Sequence, residues 1–169
     1  AHLWISVGPP FGNGSGALYA NLDEAVNYNH LLSSAAGIIS NGNWQHVAVT
    51  YDKIAGLATL YYNGTVVAAK TMGSFTPQTS YNLFLGRRPS NLTPTYYSGL
   101  LDEVGVYGRA LSAAEVAALY NAASGGKCYT PAPPLCATPP SGLVSWWRAE
   151  GNALDQVGGN NGVLLDRKS

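Results

Sequence analysis

A chain of 169 residues is long enough to bury one sizeable core, and its length fits one domain or a little more. Charged residues are only 11% of the sequence and formal net charge is zero, so nothing in the composition offers nucleic acid or an anionic membrane an electrostatic footprint. No apolar run approaches the roughly 18 residues that a bilayer span requires.

Residues 2–7 (His2-Leu3-Trp4-Ile5-Ser6-Val7) alternate as a strand does, and Gly8-Pro9-Pro10 stops it. Phe11 to Gly16 is a glycine-rich loop, and Ala17 to Val26 reads as a second strand with Asp23 and Glu24 near its end. Residues 27–43 show little pattern beyond a brief extended piece at Ile38 and Ile39, whereas Trp44 to Tyr51 is a strand. Ala58 to Tyr62, Asn63-Gly64 and Thr65 to Lys70 spell a β-hairpin, because Asn-Gly supplies the positive φ values of a type I′ turn. Asn82 to Arg87 is one more strand, and Arg88 to Tyr97 is a loop interrupted by Pro89 and Pro94. Gly99 to Tyr107 closes the run, and its alternation sets Asp102, Val104 and Val106 on one side, the side expected to be buried. Ser112 and Glu115 form a capping box, and Ala113, Val116, Ala117 and Tyr120 give the following helix its stripe. Ser124-Gly125-Gly126 ends it. Short strands with frequent turn signals predict an all-β, antiparallel two-sheet sandwich with one short helix.

Beyond residue 125 the chain changes character. Residues 126–140 form a proline-rich linker that denies both helix and central strand, and Cys128 and Cys136 flank its Tyr-Thr-Pro-Ala-Pro-Pro-Leu core. The segment offers too few ligands for zinc, so the reading is a small disulfide-closed loop in an oxidising compartment. With few charges and abundant Gly, Tyr, Asn, Ser and Thr, that suits a secreted β-protein. No signal-peptide pattern opens at Ala1, so either a leader has been removed or the chain is a fragment.

Three segments carry a family resemblance. Gly99 to Tyr120 (GLLDEVGVYGRALSAAEVAALY) resembles the closing strand and helix of laminin-G-like jelly-roll domains of the concanavalin A-like lectin and glucanase superfamily. Gly42 to Asp52 (GNWQHVAVTYD) and Leu60 to Thr65 (LYYNGT) are similar to middle strands of that family, in the expected order. The resemblance implies a jelly roll over residues 1–125 that lacks its opening strands. Ser141 to Gly162 in turn resembles the family's opening strand and loop, so residues 141–169 read as the start of a second repeat of bacterial tandem type. A sandwich without its first strands exposes an edge that invites a complementary strand. Leu143 to Trp147 could fill it within the chain or in a neighbouring copy. A truncated fragment is the plainer alternative.

The resemblance also implies a structural calcium, held by Asp102 together with Glu150 and a carbonyl of Gly151 or Asn152, oxygen ligands that suit calcium rather than zinc. Backbone hydrogen bonds alone are the competing role for Asp102. Asp155, Asn160 and Asn161 resemble the family's opening loop, for which metal binding is the alternative to the reading preferred here, Asx turns. Catalysis is not expected: Asp23-Glu24 and Asp102-Glu103 are adjacent and point to opposite faces, and no Glu-x-Asp-x-x-Glu pattern sets carboxylates at glycosidase spacing. His46, between Trp44 and Ala48, reads as a hydrogen-bonded sheet residue. Trp4, Tyr19, Tyr28, Tyr81, Tyr96 and Tyr97 are the aromatics available to stack on a sugar, and most tyrosines on strands read as core or sheet-face residues. For sugar stacking, Tyr96 and Tyr97 with Arg88 and Asn91 in the adjoining loop form the candidate surface, Arg87 lying beside it. Asn13, Asn63 and Asn91 open glycosylation acceptor patterns, although Asn63 is better explained by its hairpin.

The function these features suggest is a non-catalytic extracellular or cell-surface module that binds a glycan or a surface protein, with calcium structural. Two alternatives stand beside it. One is a repeat that polymerises with its own copies by strand complementation; the other is an accessory carbohydrate-binding module of a larger hydrolase.

Overall fold

The structure, a computed structural model, describes residues 2–6, 12–24, 28–80, 82–88, 95–128 and 136–164. The chain forms two compact units: Ala1–Ser80 with Arg109–Pro139, and Tyr81–Gly108 with Pro140–Ser169.

In the first unit, β1 (His2–Ile5), β2 (Leu18–Asn21) and β3 (Leu31–Ser33) form one antiparallel sheet, and β4 (Val47–Asp52), β5 (Leu57–Tyr62) and β6 (Thr65–Thr71) form another. Period-2 alternation sends Leu18, Ala20 and Leu22 to one side, where they meet Leu32, Ala58, Leu60 and Phe75 in a single core. Val49 and Tyr51, the register partners of Leu60 and Ala58, close around it. Leu60 is completely buried, so its side chain contributes about 1.5–3 kcal/mol of transfer free energy. The same alternation puts Ala48, Thr50 and Asp52 of β4 opposite Tyr61, Thr59 and Leu57 of β5 on the other face of that sheet.

The β5–β6 turn is the two-residue loop that Asn-Gly dictates: Tyr62 pairs with Thr65, and Asn63 and Gly64 have φ of 48° and 75°. Close packing also requires the glycine, since a Cβ there would lie 2.9 Å from the Tyr120 ring. Tyr120 belongs to α1 (Ala113–Asn121), whose capping box is formed as the sequence predicts. Ser112 Oγ accepts the Glu115 N–H at 3.3 Å, and Glu115 Oε2 accepts the Ser112 N–H at 2.9 Å. Val116 is the helix's fully buried anchor.

In the second unit, β7 (Arg87–Arg88) pairs with β8 (Thr95–Tyr96), and β9 (Val104–Tyr107) pairs antiparallel with β10 (Leu143–Trp147). The edge that receives Leu143–Trp147 is therefore β9 of the same chain, with a register shift between Leu143 and Ser145. Trp146 and Trp147 are both buried.

Several expected strands are shorter than predicted. Residues 82–86 form no strand and Leu83 is 60% exposed, so the extended apolar run there lacks a ladder partner among the described residues. The predicted strand from Gly99 begins only at Val104. Glu103 sits at φ 54°, in the left-handed region, which breaks the alternation carried from Gly99. Asp102 is consequently exposed in the approach to β9 rather than buried beside Val104 and Val106, and Val106 itself is 40% exposed.

Candidate functional site

Three places carry the residues singled out from the sequence. The first is the β7–β8 hairpin. Its register sets Arg87 opposite Tyr96, and the guanidinium carbon lies 5.7 Å from the centre of the Tyr96 ring, within cation–π range. Tyr96 and Tyr97 are 49% and 46% exposed. Tyr97 N–H donates to the Gly86 carbonyl at 2.8 Å, and its ring lies where a side chain on Gly99 would have to sit. Arg87 Nε is buried and has no hydrogen-bond partner among the described residues. Among the described residues Arg87 meets Tyr96; the side chain of Arg88, and Asn91 altogether, lie outside them. Strand pairing was the signal for Arg87, because alternation alone does not set it against Tyr96.

The second place is one end of the β9–β10 ladder. Trp147 pairs with Val104, so the chain segments bearing Asp102 and Glu150 leave the ladder at the same end. There Asp102 Oδ1 accepts the Glu103 N–H at 2.9 Å, and the Glu150 carboxylate lies 3.8 Å from Arg148. The Glu150 carbonyl accepts from Asn152 Nδ2 at 3.2 Å, Asn152 Oδ1 accepts the Leu154 N–H at 2.9 Å, and Gly151 N–H donates to Ala149. Among the described residues no three His, Cys, Asp or Glu side chains gather as a metal-ligand set. Of the oxygens named for calcium, Asp102 Oδ1 is held by the Glu103 N–H and the Glu150 carboxylate faces Arg148.

The third place, just beyond, is the loop that Asp155 organises. Oδ1 accepts the N–H groups of Trp146 and Val157 at 2.9 and 3.0 Å, and Oδ2 those of Gly158 and Asn160 at 3.1 and 3.0 Å. Partial burial pushes this carboxyl's pKa up, but the four backbone donors outweigh it and hold the group well below the usual carboxylate range. Asn161 Oδ1 accepts the Asp155 N–H at 3.0 Å, Asn160 Nδ2 donates to Ser145 Oγ at 2.8 Å, and Trp147 Nε1 donates to the Asn160 carbonyl at 3.1 Å. The loop is an Asx-turn scaffold that clamps β10.

In the first unit, Cys128 and Cys136 are joined by a disulfide with Cα atoms 4.8 Å apart. Lys127 bridges to Ala137 alongside it. His46 donates its backbone N–H to Asn63 Oδ1 at 2.9 Å and tilts its ring toward Tyr120. Burial, and then the charge of Lys127, lower its pKa, so the imidazole is held neutral. Arg109 grips the Glu115 carboxylate, with Nη1 2.9 Å from Oε2. That pair and the Ser112 N–H lower the Glu115 pKa to about 2.

A laminin-G family model described as the concanavalin A-like lectin/glucanases superfamily matches residues 5–117. Among solved structures, an S-layer domain-containing protein from Clostridium thermocellum is 23% identical, with a TM-score of 0.44 over 70% of this chain and 61% of that one. This chain therefore spans less than two thirds of that structure. No curated protein matches.

Proposed function

Because the chain belongs to the concanavalin A-like lectin/glucanase superfamily, we propose that it is a non-catalytic recognition module that binds a glycan or a surface protein outside the cell, through the β7–β8 hairpin. One observation carries this reading. Two half-exposed tyrosines stand together, one faced by an arginine whose buried Nε awaits an acceptor among the described residues. Aromatic faces stack on sugar rings or on a partner's apolar anchors, and an arginine beside them supplies directional donors for hydroxyl or carboxylate groups. The disulfide and the low charge support an oxidising, extracellular setting.

Calcium at the Asp102 end of the ladder belongs to the same proposal. The ion would draw Asp102 and Glu150 away from the Glu103 N–H and Arg148, add a carbonyl of Gly151 or Asn152, and stiffen the base of β9 and β10. A second reading rests on β10 itself. The pairing it makes with β9 could equally form between two copies, which would make the chain a repeat of a surface polymer.

A glycan and matrix-protein array, run with and without a chelator, tests the proposal. Binding that falls about tenfold or more in Tyr96→Ala and Tyr97→Ala supports it; no binding to either class removes it. An unchanged melting temperature on chelation removes the calcium part alone. Size-exclusion chromatography separates the monomeric module from the polymer.

A further inference from the structure

Asparagine followed by glycine is the dipeptide at which a chain reacts most readily with itself, because a residue without a Cβ leaves its N–H open to the side-chain amide before it. The sequence holds four such pairs: Asn13-Gly14, Asn41-Gly42, Asn63-Gly64 and Asn161-Gly162. The fold treats them unequally, and three are tied. Asn13 Nδ2 donates to the Ser34 carbonyl at 2.8 Å and to that of Ser33 at 3.4 Å, and a Cβ on Gly14 would lie 3.0 Å from Ala36. Asn63 Oδ1 accepts the His46 N–H at 2.9 Å, and Tyr120 packs against Gly64. Asn161 Oδ1 accepts the Asp155 N–H at 3.0 Å, while the Gly162 N–H donates to the Ala153 carbonyl at 2.8 Å. To react, each of these must first give up at least one hydrogen bond.

Asn41-Gly42 is held only at the base of its loop. There Gln45 closes the turn: its Oε1 accepts the Ser40 N–H at 2.9 Å, and its Nε2 donates to the Ser40 and Asn43 carbonyls. Tyr62 Oη donates to the same Oε1 at 2.9 Å and ties that base to β5. At the tip, Asn41 and Gly42 are both exposed, and neither makes a hydrogen bond among the described residues. A Cβ on Gly42 would meet nothing within 4 Å. Its φ of 84° nevertheless reserves the position for glycine, so the turn itself keeps the reactive pair together.

We infer that Asn41 is a self-modification site, a surface asparagine that the fold leaves to convert into an acidic residue without an enzyme. The Gly42 nitrogen attacks Asn41 Cγ and gives up its proton as the bond from Cγ to Nδ2 breaks. Ammonia leaves, and a five-membered succinimide remains. Water then opens the ring: cleavage of the new bond gives aspartate, and cleavage of the original peptide bond gives isoaspartate. Nothing is oxidised or reduced. Attack within the chain needs no encounter, so freedom to reach the reactive geometry sets the rate. Formal net charge moves from zero to one negative, and the new carboxylate appears in the loop that carries Trp44, which is 66% exposed.

Peptide mapping by mass spectrometry tests it, on the folded full chain incubated in mildly alkaline buffer. The Asn41 peptide should gain the mass of an amide-to-acid exchange about fivefold or more faster than the peptides of Asn13, Asn63 and Asn161, the ratio that one net hydrogen bond gives. Ammonia should appear in step with it, and isoaspartate should be found at position 41. In urea, where the ties are gone, the four pairs should react at rates within about twofold of one another. Asn41→Gln should remove the first acidic species from an ion-exchange profile. Equal rates in the folded chain, or an earlier reaction at another pair, would overturn the inference. Selectivity that persists in urea would trace it to local sequence and overturn the role given to the fold. An acidic species that survives in Asn41→Gln would place the reaction at another residue.

Discussion

Replacing Asp155 by alanine removes the one side chain on which the loop after β10 is built. Four backbone N–H groups converge on its carboxylate, and a charge-assisted hydrogen bond contributes about 1.5–3 kcal/mol net. The four do not simply add. Val157, Gly158 and Asn160 are exposed, so water recovers most of what their N–H groups lose. Trp146 is 3% exposed, so its N–H has far less access to solvent and carries most of the penalty. One buried charged bond plus fractions of three exposed ones gives an expected loss of about 2–4 kcal/mol in the local stability of β10. Hydrogen exchange reads this directly: protection of the Trp146 amide should fall roughly 30- to 1,000-fold in Asp155→Ala, and less in Asp155→Asn, which keeps one acceptor oxygen. The pH dependence follows from the depressed carboxyl pKa. Its stabilisation is complete above the unfolded value of about 3.9 and is lost as pH falls through the lower folded value, so the variant should lack this acid-side loss. Trp146 protection unchanged within threefold would refute the claim that this carboxylate holds the strand.

Three further outcomes follow from the first unit. Leu60→Ala, at a fully buried core position, should cost about 2–5 kcal/mol in denaturant unfolding, and a cost below 1 kcal/mol would mean the two sheets do not share that core. The lowered His46 pKa makes the unfolded state the better proton binder, so stability should fall as pH drops below about 6.5 and level off under the folded value. His46→Gln should flatten that slope in melts between pH 5 and 7.5, and a slope that survives points to another group. Reducing Cys128–Cys136, which closes a loop of sequence separation 8, should lower stability by about 2–3 kcal/mol on the loop-entropy estimate, and no change in the melt would place the connector outside the cooperative unit.

Local constraints are legible in the sequence. Asn63-Gly64 admits few conformations, Ser112 and Glu115 satisfy each other's backbone donors three residues apart, and the period-2 run Leu18, Ala20, Leu22 names a core face. Residues 82–86 and 99–103 were not legible in the same way. Their apolar residues suggest strands, but a strand exists only where a partner lies alongside, and the left-handed turn at Glu103 comes from context rather than from its side chain. That turn is why Asp102 is exposed. The hairpin tyrosines were visible as a pair, whereas setting Arg87 against Tyr96 needed the β7–β8 register.

Recognition without chemistry is the core of the account, and mass spectrometry of a captured glycan tests both halves at once. The full chain, immobilised and loaded with its best array ligand, should retain that ligand and release it intact after prolonged incubation. Cleaved or modified sugar in the eluate, or no retained sugar or protein at all, would contradict it.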